Sequence, residues 1–349
     1  MKVVELASVQ LQGPVVFAEG LEKLYLTKVD SEYSLLTWVF PASLRKLFYK
    51  GVKDKDADLR AVTAPYISMD GLGDVLFQAL FPEALDELKL DGGMGMTAIR
   101  VTFPELIEGV TDNEAYLTRA IIDYDNSRGA EYDPENPTRI ILLPPYLRRL
   151  TLESIDEISI HGPSQTEQIR DLAISFPEGQ YDLEGLFPEL ETLVFGPTKT
   201  SRSRPLKFKV IRHAALKSLT LTEVYTHRRV TIDCPELESL TINNPDGNIG
   251  KYVFKNINDS LVSLTLNGVS EFPKVVAEKE GSSSDDEASE GVTDWNRLES
   301  VTITDSDIEL PYIPWLNELN MDRPLMSKGQ EIRDISEYRM VWGRAAAKR

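Results

Sequence analysis

Apolar residues return along most of this chain in one beat, Leu-x-x-Leu-x-Leu. It is written as Leu21, Leu24, Leu26; Leu44, Leu47, Tyr49; Leu85, Leu88, Leu90; Leu147, Leu150, Leu152; Ile169, Leu172, Ile174; and Leu190, Leu193, Phe195. The second half repeats it more regularly: Leu216, Leu219, Leu221; Leu237, Leu240, Ile242; Leu261, Leu264, Leu266; Leu298, Val301, Ile303; and Leu316, Leu319, Met321. From Leu147 to Leu261 the successive starts are 22, 21, 26, 21 and 24 residues apart. A fixed period of that length marks one supersecondary unit repeated in a stack. The alternation at the end of each beat is that of a short strand with one buried face. The beat therefore predicts one short strand per repeat, leucines inward, stacked on its neighbours as a parallel sheet.

An apolar residue followed by proline opens several repeats: Phe40-Pro41, Phe81-Pro82, Phe187-Pro188 and Cys234-Pro235, with Leu143-Pro144-Pro145 in the same role. Proline has no N–H to give to a ladder and biases the preceding residue toward extended geometry. It suits the corner leading into a strand, with the apolar residue before it in the core. Phe103-Pro104-Glu105-Leu106 has the same form, and the gap from Leu90 to Leu147 is expected to contain one or two degenerate units.

Three segments interrupt the rhythm. Residues 123–138 are acidic and proline-containing and read as a long surface loop. Residues 277–294 have almost no apolar content and read as a disordered acidic insertion, which accounts for the 37 residues between Leu261 and Leu298. Residues 327–342 place Ile332, Ile335, Tyr338 and Trp342 at helical spacing, with Ser327-x-x-Gln330 as a capping box. The expected organisation is a solenoid over 1–325 and a C-terminal helical cap with a basic tail over 326–349.

The recurring triples and their proline openings resemble the leucine-rich repeat superfamily over roughly residues 1–325. The resemblance implies an α/β solenoid of roughly eleven to thirteen repeats, with a concave parallel β-sheet and an irregular convex side of short helices or extended segments. The chain departs from the common repeat where an asparagine would bridge neighbouring turns: that slot holds Val29, Val52, Ile155, Val224 and Val269. In this it is similar to irregular fungal and F-box-associated members, some of which carry a Pro-x-x-Leu-x-x-Leu-x-Leu beat. No F-box is visible, and a repeat already occupies residues 17–28.

Stacking such strands places equivalent outward positions in files. One file reads Ser218, Ser239, Ser263, Ser300, the next Thr220, Thr241, Thr265, Thr302, and the third Thr222, Asn243, Asn267, Thr304. Toward the N-terminus the outward residues include Lys23, Tyr25, Lys46, Phe48, Lys50, Lys89 and Arg149. Exposed aromatics among cations are the better contact anchors, so these seven are the candidate partner-binding residues. Serine and threonine also simply suit exposed strands.

Composition narrows the function classes. With 42% hydrophobic and 27% charged residues the chain is globular, and it has no apolar run of the roughly 18 residues that a membrane span requires. The first residues lack the features of a secretory signal, so a cytoplasmic or nuclear location is expected. One cysteine, Cys234, excludes an internal disulfide framework, and three histidines leave little for metal binding. No cofactor is expected. A net charge of −18 disfavours nucleic acid.

Against that average, residues 199–229 hold nine cations and one acid, Glu223. Arg202, Arg204, Lys207, Lys209, Arg212, Arg228 and Arg229 form a candidate anion-binding island for a partner or for the chain's own acidic insertion. It also reads as a solvated face. Ser282, Ser283 and Ser284 precede Asp285, Asp286 and Glu287, the pattern acidophilic kinases favour, and are the candidate phosphorylation sites. Cys234 fills the slot held elsewhere by Phe40, Phe81 and Phe187, which makes it core, although His213 and His227 lie one repeat away. Gly92-Gly93-Met94-Gly95 lacks the lysine of a phosphate-binding loop and reads as a turn.

These readings favour a non-catalytic scaffold that binds a partner protein on its concave surface. A substrate-recognition subunit of a ubiquitin ligase and a GTPase-activating repeat protein are the alternatives. A polysaccharide-cleaving β-helix, with Asp305 and Asp307 on one strand face, is disfavoured because the beat supplies one strand per period.

Overall fold

The computed structural model describes residues 2–31, 37–50, 56–70, 78–82, 85–91, 99–102, 139–142, 147–153, 158–161, 169–174, 183–196, 210–222, 230–244, 252–257, 259–269, 272–275, 295–306 and 308–346. The loop at 123–138, the insertion at 277–294, the Gly92–Gly95 turn and the Phe103-Pro104 motif lie outside them. The chain is a parallel β-solenoid that divides into two compact units, Met1–Glu178 with Gly185–Glu189, and Gly179–Glu184 with Leu190–Arg349.

In the first unit the main sheet has the order Val3–Ala7, Lys23–Thr27, Lys46–Lys50, Tyr66–Asp70, Glu87–Asp91, Arg149–Glu153, Asp171–Ile174, all parallel. In the second unit it runs Thr192–Phe195, Ser218–Thr222, Ser239–Asn243, Ser263–Asn267, Ser300–Thr304, Glu318–Met321. The beat explains the burial directly. Leu24, Leu47, Leu88, Leu219, Leu240 and Leu264 are fully buried, and the residues between the inward positions are half-exposed. The Phe-Pro corners behave as expected too: Phe40, Phe81, Phe187 and Cys234 are all in the core.

Two rungs escaped the pattern. Val3–Ala7 and Tyr66–Asp70 fill main-sheet positions, the latter with Ala64, Ile67 and Met69 buried in the three leucine slots. Conversely, the interval from Leu90 to Leu147 adds no main-sheet rung, because Glu87–Asp91 pairs directly with Arg149–Glu153. What it adds lies on the second wall. There Asp56–Asp58, Gln78–Leu80, Arg139–Leu142, Ile99–Thr102 and Ile158–His161 form a five-stranded parallel sheet in that spatial order, so two successive strands of the chain sit in reversed sequence.

The second unit has a second wall as well, formed by Val210–Arg212, Val230–Asp233, Tyr252–Lys255 and Lys274–Val275. The extended segments expected opposite the main sheet are thus paired into parallel sheets. This corrects the premise that one strand per period separates the chain from a β-helix: most described repeats carry two.

Chain reversal after the main strands uses a recurrent left-handed residue: Ser8, Lys28, Gly268 and Asp305, at φ 53°, 50°, 63° and 47°, each directly follow a strand. Three of them extend the ladder by one bond, with the N–H of Ser8, Lys28 and Gly268 donating to the carbonyls of Thr27, Lys50 and Thr304. The next slot, where asparagine is missing, is filled in core fashion by Val29 and Val269. Ser306 takes over part of the bridging role, its Oγ accepting from the Val269 N–H at 2.9 Å and donating to the Thr304 carbonyl at 2.8 Å.

The C-terminal cap differs from the helix-only expectation. Leu325–Ser327 and Gln330–Ile332 form an antiparallel hairpin around Lys328 and Gly329, both left-handed, and the helix is Ile335–Ala346. Ser327 is therefore no N-cap. It is buried, donating to the Leu310 carbonyl at 2.9 Å and accepting from Trp342 Nε1 at 3.0 Å. Asp334 caps the helix instead, its Oδ1 accepting from the N–H of Ser336 and Glu337 at 2.7 and 2.8 Å.

Candidate recognition surface

Register fixes which outward residues meet. In the first unit Lys23, Lys46, Tyr66, Glu87, Arg149 and Asp171 share one file, and Tyr25, Phe48, Ser68, Lys89 and Thr151 share the next. Lys50 lies in the third, between Thr27 and Asp70. Adjacent rungs of a sheet are about 4.8 Å apart, close enough for rings in one file to stack. Tyr25 and Phe48 do so, with centroids 4.4 Å apart and planes 3° from parallel. Phe48 then meets Tyr66 at 5.5 Å and 55°. Lys46 Nζ sits 4.7 Å from the Tyr66 centroid, a cation–π contact along the neighbouring file.

The result is a half-exposed aromatic ladder, Tyr25–Phe48–Tyr66, with the exposed Lys23 and Lys46 beside it. Tyr66 belongs to the rung that the leucine beat did not mark. The double-length gap from Leu44 to Leu85 was the signal that could have exposed it.

The remaining candidates are arranged differently from a single basic patch. Arg149 lies beyond Glu87 in its file and bridges Glu87 at 3.5 Å and Asp171 at 3.2 Å. Lys50 pairs with Asp70 at 2.8 Å, and that hydrogen bond raises its pKa. Lys89 is separated from Phe48 by the buried Ser68. The face is thus an aromatic ladder at one end, passing into alternating charges that pair across rungs.

In the second unit the hydroxyl files form in the register that spacing implied: Ser218, Ser239, Ser263 and Ser300 align, as do Thr220, Thr241, Thr265 and Thr302, and then Thr222, Asn243, Asn267 and Thr304. The 37-residue interval between Leu261 and Leu298 leaves the register intact. Asn267 Nδ2 donates to Asn243 Oδ1 at 2.8 Å.

Of the seven candidate anion-binding residues Arg212 is described; Arg202, Arg204, Lys207, Lys209, Arg228 and Arg229 lie outside the described residues, as do Ser282, Ser283 and Ser284. Arg212 is engaged on the second wall, its Nε 3.0 Å from Asp233 Oδ2, while Asp233 Oδ1 accepts from Asn256 Nδ2 at 2.9 Å.

Cys234 is buried and its thiol donates to the Ile211 carbonyl at 3.8 Å. Burial pushes its pKa up to about 12. His213 is buried too, with Nδ1 accepting from the Ala215 N–H at 3.2 Å, so this nitrogen is not open to act as a base. His227 is outside the described residues. The thiol should resist iodoacetamide at pH 8 in the native chain and react once urea unfolds it; equal rates would place Cys234 outside the core. Because the unfolded thiol deprotonates near its ordinary pKa of 9.0 while the folded one holds its proton to about 12, its contribution to stability declines as pH rises through that window.

Among the described residues no helix is long and apolar enough to cross a membrane, and no group of three or more His, Cys, Asp or Glu gathers as a metal site. Comparison with protein-family models, with curated proteins and with solved structures finds no match to this chain.

Proposed function

We propose that this chain is a non-catalytic recognition scaffold of leucine-rich-repeat type that binds a partner protein on the main-sheet face of its first unit. The observation that carries the reading is the Tyr25–Phe48–Tyr66 ladder with Lys46 over Tyr66. Aromatic side chains on a strand face ordinarily face the core or another layer, and here they are half-exposed on the outward side of a sheet whose opposite side is packed with leucine. Rings held by their neighbours lose little rotamer freedom on binding, which makes them efficient contact anchors. The paired charges farther along the same face supply a polar rim that adds selectivity more than affinity.

The test is affinity purification with mass spectrometry of the wild-type chain beside the Tyr25→Ala, Phe48→Ala double variant, followed by titration of each recovered partner against both purified proteins. Anchors of this kind are worth about 2 kcal/mol or more each and do not add fully, so affinity should fall by between about thirtyfold, the loss of one anchor, and about a thousandfold, the loss of two independent ones, with circular dichroism unchanged. An unchanged partner list and unchanged affinities would rule out this face.

A further inference from the structure

Among the described rungs the first rung of the first unit stands apart. Its inward positions Val4 and Leu6 are half-exposed, as are Leu11, Val15 and Phe17 on the rest of that coil, whereas Leu24 and Leu26 on the next rung are 0% and 1% exposed. Val3 and Val16 are 49% and 73% exposed. In the second unit, by contrast, the last rung is followed by a hairpin and helix whose Leu325, Ile332 and Tyr338 are buried.

Among the described residues Val3–Ala7 also has one edge without a paired strand: its one partner there is Lys23–Thr27, reached by the Lys2 carbonyl and the Ser8 N–H. Backbone groups of a strand point alternately to its two sides. The N–H and C=O of Val3, Glu5 and Ala7 therefore face away from the sheet. A row of unpaired backbone groups beside a half-exposed core is the arrangement that accepts an added strand.

We infer that this edge docks an extended segment of a different protein, carrying a basic residue between two aliphatic ones. The aliphatic residues would cover Val4 and Leu6, continuing the inward files, and the basic residue would lie beside Glu5. Glu5 is exposed and has no partner among the described residues. The charge also selects against a second copy of this chain. Antiparallel pairing of two Val3–Ala7 strands over their full length puts Glu5 opposite Glu5, and like charges directly opposite are destabilising. Since the basic residue is central, the same motif fits a parallel or an antiparallel strand.

The experiment uses the full chain and two acetylated, amidated peptides, Thr-Val-Leu-Lys-Leu-Thr-Thr and its Glu-centred counterpart, each in large excess. Amide hydrogen exchange over residues 3–7 is the readout, with residues 218–222 as an internal reference. The Lys-centred peptide should slow exchange at the edge and bind about two- to tenfold more tightly than the Glu-centred one. Glu5→Lys, an exposed substitution, should invert that preference. The inference is overturned if neither peptide protects residues 3–7, if Glu5→Lys leaves the preference unchanged, or if protection develops on raising the protein concentration alone, which would make the occupant a second copy.

Discussion

Replacing Phe254 by alanine should destabilise the second unit by about 3–5 kcal/mol, the range for deleting a fully buried aromatic ring. Phe254 is 0% exposed on the second-wall strand Tyr252–Lys255, in the inward file with Ile211 and Ile232. Its ring meets Trp295 edge-on at 5.9 Å and 78°, and Trp295 meets Phe272 at 5.9 Å and 89°. The side chain thus ties the second wall to Trp295, three residues before Leu298 opens the next beat. A cavity left there is hard to close, because ladder bonds on both walls hold the strands at fixed spacing. In a stack where each repeat contacts only its neighbours, the lost energy is felt locally first. Urea unfolding followed by tryptophan fluorescence should show a midpoint shift dominated by the second unit. A loss under about 1 kcal/mol would mean that the ring is not the core element its burial indicates.

Much of this architecture was legible because leucine at three fixed slots reports both the strand and its register. Where the slots hold other apolar residues the signal faded. The rung Tyr66–Asp70 uses Ala64, Ile67 and Met69, and alanine in the first slot breaks the beat without weakening the packing. The second wall was invisible for a different reason. Its strands are two to four residues long, as in Val210–Arg212 and Tyr252–Lys255, too short for alternation to stand out from a turn.

The same split runs through the candidate surface. Tyr25 and Phe48 could be placed side by side because both follow clear beats, whereas Tyr66, which completes the ladder, sits on the unmarked rung. The ion pairs of Arg149 were out of reach because its partner Glu87 is 62 residues away, and their adjacency follows only once the intervening strands are known to lie on the other wall. Ser327 shows the opposite failure: a locally valid capping pattern was overridden by the left-handed pair Lys328–Gly329, which folds the segment into a hairpin.

Gly196→Ala should cost about 2–6 kcal/mol. Gly196 directly follows the strand Thr192–Phe195, the place where Ser8, Lys28 and Asp305 adopt φ near 50°. Those residues tolerate the left-handed well at modest strain. Gly196 is at φ 137°, a conformation that residues with a side chain rarely adopt. Space compounds the problem. A Cβ on Gly196 would collide with the backbone carbonyl oxygen of Thr222 and lie 2.7 Å from the Thr222 Cβ. Phe195 is registered with Leu221, so Thr222 is the neighbouring rung's continuation, and the ladder holds it at close range. Neither backbone can yield without breaking ladder bonds. A strained φ costs about 1–3 kcal/mol and overpacking a further 1–3. Gly20 and Gly329 provide the comparison: they are also left-handed, at φ 89° and 70°, but a Cβ on either meets nothing within 4 Å. Alanine there should cost only the backbone strain. Guanidinium unfolding of the three variants separates the two contributions, and a Gly196→Ala loss no greater than that of Gly20→Ala would refute the close approach between the rungs.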